Sequence, residues 1–249
     1  MSTQQIMSLQ HSMVKHVVRL RQNHDYRDEH NSVVISGIKE VREVCAHVHP
    51  KLLMVYDETF IPKGVKADEV LIVSESIMQK VSGTQSPEGI LAVVEKPKAH
   101  SMKDLKYIVA LDGVGDPGNL GTIIRTALAL GWDGVFILDQ SCDPFNDKAL
   151  RASRGATFKI PLARGNWKQL EELIQKNHLQ ALVADLKGTP VSAVQPKEGT
   201  LLILGNEAHG ISSQAAAQCT KITIPMAPAM ESLNVAVAGG ILMQALRCL

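Results

Sequence analysis

Neither sign of charge dominates this sequence: across 249 residues, 26 Lys and Arg face 25 Asp and Glu, for a formal net charge of +1. Bulk charge therefore advertises no polyanionic partner, and any nucleic-acid surface has to be a local patch. The cysteines Cys45, Cys142, Cys219 and Cys248 lie far apart, with no CxxC pair and no Cys/His cluster. That argues against a zinc site and a disulfide framework, so no metal is expected and the thiols read as reduced and mostly buried. The start "MSTQQIMSLQHSMVKHVV" has no cationic segment ahead of an apolar one, and no uncharged apolar run is long enough to span a bilayer. A soluble cytoplasmic protein without a membrane partner is the expectation. Internal repeats and low-complexity tracts are also missing. What is present is an apolar content of 45%, enough for one large domain, or for a small domain joined to a medium one, with a real core.

Residues 1–95 alternate short elements. The pattern predicts a basic helix around Met13 to Arg21, the strand "SVVIS", a helix "IKEVREVCAHV", the strands "LLMVY" and "VLIV", a helix "ESIMQKV" and a last strand "ILAVV". That is a compact α/β module. The stretch "EKPKAHSMKDLK" reads as a linker over residues 96–106, because it is polar, charged and poor in large apolar residues. From residue 107 to 249, apolar runs such as "YIVALD", "GVFILD", "ALVADL", "LLILG" and "KITIPM" are separated by helical segments. Continuous apolar strands alternating with helices point to a parallel sheet covered on both faces, which binds ligands at the carboxyl ends of its strands.

Three loops at strand ends carry the chemistry. The first, "LDGVGDPGNLGTIIRTALALG", contains a G-x-G-x-x-G at Gly113, Gly115 and Gly118. A nicotinamide site therefore has to be weighed. Asp-Pro-Gly reads as a turn that delays the helix, so Asn119 is the expected N-cap and Gly131 the residue that closes the helix. Gly121 and Arg125 are four apart and share a face, and helical side chains lean toward the N-terminus. Arg125 is thus expected near Asn119, at a helix end that favours anions; the plainer alternative is a solvated helix residue.

The second loop is "LLILGNEAHGIS". Gly205 ends an aliphatic strand and lets a ligand approach the backbone, Ser212 is expected to cap the following helix, and Glu207 sits at a strand's carboxyl end. The third is "ITIPMAPAMESLNVAVAGGILMQAL". Pro225 and Pro228 break helix and strand, giving an apolar loop suited to a flat ring. Ser232 and Asn234 stand before a helix apolar on every side, which has to be enclosed by protein.

In this order and spacing, "NLGTIIR", "LGNEAHGIS" and "IPMAPAMESLNVAVA" resemble the three signature motifs of the SpoU, or TrmH-type, RNA ribose methyltransferases of the SPOUT superfamily. The likeness covers about residues 107–247, and the N-terminal module resembles the family's small L30e/L7Ae-type RNA-binding domain. The resemblance implies an α/β fold with a trefoil-knotted methyltransferase domain, S-adenosylmethionine as cofactor, an rRNA or tRNA partner rather than DNA, and a homodimer. It further implies that Leu204, Gly205, Ile224, Met226 and Leu233 hold the cofactor, and that Asn119, Arg125, Glu207, Ser232 and Asn234 form the reaction site. Pro228 departs from the glycine often found shortly after Ile-Pro-Met. Lys148, Arg151, Arg154, Lys159 and Arg164 form a basic segment consistent with phosphate contacts, with Lys15, Arg19 and Arg21 as further candidates. An RNA-binding assembly factor without turnover, and a nicotinamide oxidoreductase, are the alternatives.

Overall fold

The computed structural model describes residues 2–247; Cys248 lies outside them. The chain forms two compact units. The first runs to Lys98 and also takes in Phe145–Phe158. Its elements are β1 (Ser2–Ile6), α1 (Ser12–Gln22), α2 (His24–Glu29), β2 (Ser32–Ser36), α3 (Ile38–Cys45), β3 (Pro50–Val55), β4 (Glu69–Val73), α4 (Glu75–Ser82) and β5 (Ile90–Glu95). The strands make one sheet in the order β1-β4-β3-β5-β2. Alternation along β3 divides the core: Leu52 and Met54 pack with Val14, Val17 and Leu20 of α1, whereas Leu53 and Val55 pack with Val41 and Val44 of α3. Leu150, Phe145 and Phe158 complete that second cluster, which is why the later segment belongs to this unit. Two elements here go beyond what pattern predicted. The strand β1, "STQQI", is polar, and α2, "HDYRDE", is a short charged helix held by its cap Asn23.

The second unit comprises Ala99–Pro144 and the chain from Lys159 onward. It contains β6 (Tyr107–Asp112), α5 (Pro117–Ala129) and β7 (Gly134–Leu138), after which α6 (Asp147–Ser153) lies in the first unit. It continues with β8 (Leu162–Gly165), α7 (Trp167–Lys176), β9 (Gln180–Pro190), β10 (Thr200–Gly205), α8 (Ser213–Gln218), β11 (Thr220–Thr223) and α9 (Val235–Leu246). The sheet order is β11-β9-β10-β6-β7-β8 and every pairing is parallel. The near-continuous burial of β6, β7 and β10 explains their unbroken apolar runs. Chain order reverses between β6 and β10, so the crevice at their carboxyl ends is the switch point of the sheet.

Helix α9 is covered only in part within the chain. Ala236, Gly239, Leu242, Met243 and Leu246 are buried, and a Cβ on Gly239 would meet Leu204 at 2.7 Å, so this face lies tight against β10. Val237 and Ile241, however, are 52% and 42% exposed. The helix rests on β10 and α5, and the side that carries Val237 and Ile241 is left open within one chain.

No helix among the described residues is long and apolar enough to cross a membrane, and no group of three or more His, Cys, Asp or Glu among them could hold a metal. Cys45, Cys142 and Cys219 are unpaired and half-buried rather than buried, and desolvation pushes each thiol up to about 11.

Candidate functional site

Helix α5 begins earlier than its composition suggests. Its N-cap is Asp116, whose carboxylate accepts from the Asn119 N–H at 2.9 Å, and Pro117 occupies the first turn. Asn119 is therefore not the cap. Proline suits this position because the N–H it lacks has no intrahelical partner anyway, so Asp-Pro-Gly opens the helix instead of delaying it. With the cap supplied by Asp116, the Asn119 side chain is released for other bonds.

Those bonds join all three loops. Asn119 Nδ2 donates to Glu207 Oε1 at 3.0 Å, and Asn119 Oδ1 accepts from Asn234 Nδ2 at 3.0 Å. The second carboxylate oxygen of Glu207 accepts from the Gly115 N–H at 3.0 Å, and the Asp116 N–H donates to Oε1 at 3.3 Å. Asn234 in turn caps α9, its Oδ1 accepting from the Ala236 and Val237 N–H groups. Partial burial alone would raise the Glu207 pKa, but the hydrogen bonds from Asn119, Gly115, its own N–H and Asp116 outweigh it and hold the carboxyl below its ordinary value.

This arrangement decides the glycine-rich loop. A dinucleotide fingerprint needs free backbone N–H groups for a pyrophosphate, and here the Gly115 and Asp116 donors are already taken by Glu207. The anion at this helix end is the protein's own carboxylate. That speaks against the nicotinamide alternative at this loop.

Two polar residues that sequence pattern did not single out hold the loops in shape. Asn206 donates from Nδ2 to the Gly113 carbonyl at 2.7 Å and accepts from the Ala208 and His209 N–H groups. Ser141 donates to the Leu111 carbonyl and accepts from the Gly113 and Val114 N–H groups. Asn206 adjoins Glu207 in "GNE" and could have been suspected from its place at a strand end; nothing in the sequence marks Ser141.

Beside the three loops lies a cleft of about 660 Å³, within the range of small-molecule sites. Leu204, Gly205, Ile224, Met226 and Leu233 all line it, together with Glu207, Ser232 and Asn234. Gly205 is required for a different reason from the one its position suggests. A Cβ there would lie 2.5 Å from the Gly210 carbonyl oxygen, so the close approach is by the returning loop. Among the residues lining the cleft are Asp185, Glu207 and Glu231 but no Lys or Arg. An apolar cleft with carboxylates and without Lys or Arg in its lining suits a ligand that joins a flat apolar ring to a positively charged centre, as S-adenosylmethionine does with its adenine and sulfonium.

The remaining predicted residues stand apart. Arg125 is exposed and makes no hydrogen bond or ion pair with the described residues, Asn119 among them. Ser232 is exposed at the cleft, with α9 capped by Asn234 in its stead. Ser212 caps α8 as its position suggests. The basic segment is divided between the units: Arg151 pairs with Asp147 at 2.9 Å and Arg154 with Glu40 at 3.3 Å in the first, while Arg164 donates to the Asp139 and Ser141 carbonyls in the second.

The SpoU rRNA Methylase family profile matches residues 106–244, and the MRM3-like substrate binding domain profile matches residues 11–92. The 23S rRNA (guanosine(2553)-2'-O)-methyltransferase RlmP of Bacillus subtilis is 33% identical over 98% of this chain and 99% of its own length. An AdoMet-bound rRNA methyltransferase from Sinorhizobium meliloti superposes with a TM-score of 0.87 at 29% identity, covering 98% of this chain and 97% of that one. The methyltransferase AviRb from Streptomyces viridochromogenes, solved with AdoMet, shares the fold with a TM-score of 0.84 at 22% identity over 95% and 97%.

Proposed function

The chain belongs to the SpoU rRNA methylase family, and we propose that it methylates a ribose 2′-hydroxyl of large-subunit ribosomal RNA in the cytoplasm, using S-adenosylmethionine. The observation that carries this reading is the hydrogen-bonded chain Glu207–Asn119–Asn234, which joins the loops after β6 and β10 to the N-terminus of α9 beside a cleft without Lys or Arg in its lining. Ribosomal RNA is favoured over tRNA because the likeness to RlmP runs the full length of both proteins.

S-adenosylmethionine supplies an electrophilic methyl group on a sulfonium. Leu204, Ile224, Met226 and Leu233, which line the cleft, would enclose its apolar parts, and the backbone around Gly205 shapes the cleft. Glu207 fixes the loops. Asn119 and Asn234 present the polar surface beside which the ribose is oriented, and Ser232 at the cleft wall is free to bond the hydroxyl. Holding two reactants in attack geometry is worth on the order of 7–11 kcal/mol, so placement alone explains much of the acceleration. Arg125 is the clamp on a neighbouring phosphate: a guanidinium keeps its proton and grips phosphate oxygens bidentately. Methyl transfer would break the methyl–sulfur bond and release the neutral thioether S-adenosylhomocysteine, and the hydroxyl proton would pass to water, since a protonated ether is a strong acid.

The exposed Val237 and Ile241 of α9, with Leu233 and Met230 nearby in sequence and 37% and 61% exposed, support a homodimer in which a second copy covers this face. The trefoil knot of the C-terminal domain belongs to the same proposal, supported by family membership. Residues 1–95 serve as the RNA-binding domain, 96–106 as linker and 107–249 as the methyltransferase domain, with Phe145–Phe158 folded into the first unit. The test is nucleoside analysis of ribosomal RNA from cells with and without the gene. One 2′-O-methylnucleoside of the large-subunit RNA should disappear on deletion and return with the gene; unchanged ribose methylation would refute the substrate assignment.

A further inference from the structure

The ladder between β9 and β11 is interrupted. Lys221 pairs with Val183, but the next residue, Ile222, pairs with Thr189, so residues 184–188 of β9 have no partner on β11. The chain rejoins the ladder so closely that a Cβ on Gly188 would lie 2.5 Å from the Ile222 backbone. Ala184, Asp185 and Leu186, turned out of the pairing, line the cleft.

Asp185 is the one carboxylate of that stretch. Its Oδ1 accepts from the Lys187 N–H at 2.7 Å, and its Oδ2 lies 3.2 Å from Lys221 Nζ, with 17% of the side chain exposed. The Lys187 N–H, and then Lys221, hold the carboxyl below its ordinary value against the opposing effect of burial. The group is thus ionised and fixed. A carboxylate offers about four acceptor positions, and two remain after these bonds. Glu207, by contrast, is occupied by Gly115, Asp116 and Asn119. An ionised, oriented carboxylate with acceptor capacity left at a cleft wall is suited to hydroxyl or ammonium donors of a ligand.

We infer that Asp185 is a cofactor-positioning residue, accepting hydrogen bonds from the ribose diol or the ammonium group of S-adenosylmethionine at the interruption of β9. This rests on the reading of the cleft as the cofactor site and adds a residue outside the three motif loops.

The experiment is calorimetric titration of the full-length protein with S-adenosylhomocysteine and with 5′-methylthioadenosine, which keeps the ribose diol but has no ammonium. Asp185→Asn should weaken S-adenosylhomocysteine by roughly 10- to 100-fold, the loss of one charge-assisted hydrogen bond. If methylthioadenosine weakens equally, the diol is the donor; if it is unaffected, the ammonium is. Lys221→Met removes the salt bridge but leaves the carboxylate and should bind S-adenosylhomocysteine within about threefold of wild type. Equal losses in Asp185→Asn and Lys221→Met would reduce Asp185 to a structural role, and unchanged affinities in Asp185→Asn would overturn the inference outright. Failure of the wild-type protein to bind either ligand would instead overturn the cofactor site itself.

Discussion

Asn119 bonds in two directions, donating to Glu207 and accepting from Asn234, and so settles its own amide orientation. The donors around Glu207, from Asn119, Gly115, its own N–H and Asp116, favour the ionised carboxylate. Its depressed pKa contributes stability that is fully present above about pH 4.5, the ordinary value, and is lost as pH falls through the lower folded-state value. Glu207→Gln should therefore melt lower than wild type near neutral pH, by about 1 kcal/mol given its solvent access, and the gap should close on acidification. A gap that persists unchanged at low pH would show that the carboxylate's charge is not what holds the loops. Arg125 is the converse case, exposed and without a partner among the described residues. Arg125→Ala should lower methyl transfer about a hundredfold or more while S-adenosylhomocysteine affinity stays within twofold; retained turnover would remove Arg125 from the mechanism. The residue types of both were legible in the sequence. Their connections were not, because Asp116 is 91 residues from Glu207 and only the fold brings them together.

Among the elements, the parallel strands were the most readable, since burial on both faces leaves an unbroken apolar run in β6, β7 and β10. The start of α5 was misread because Asp-Pro-Gly is compatible with both a turn and a capped helix start, and local pattern does not separate them. The interruption of β9 left no trace in "ALVADLKGTP", as the irregularity arises from its pairing with β11. At Gly205 the loop after β10 folds back so closely that any side chain collides with it. Gly205→Val should displace residues 206–211, costing about 1–3 kcal/mol in stability as well as cofactor affinity. Weakened binding with an unaltered melting temperature would point instead to direct obstruction of the ligand.

For the molecule as a whole, the two units share the chain unequally, since Phe145–Phe158 leaves the second to complete the core of the first. Composition could not reveal this, because Leu150 and Phe158 look the same whichever core they join. The all-round apolar character of α9 was visible, and so was its need for cover, but the cover is incomplete within one chain. The protein should sediment as a dimer at micromolar concentration, and Ile241→Glu should shift it to monomer by placing a charge in an apolar interface. A wild-type monomer would contradict the dimer. The most direct measurement of the central claim is transfer of labelled methyl from S-adenosylmethionine to large-subunit ribosomal RNA by the purified protein, followed by alkaline hydrolysis. Alkali cleaves RNA through the 2′-hydroxyl, so a ribose-methylated site survives; the account predicts label in an alkali-resistant dinucleotide, and label released in mononucleotides would contradict it.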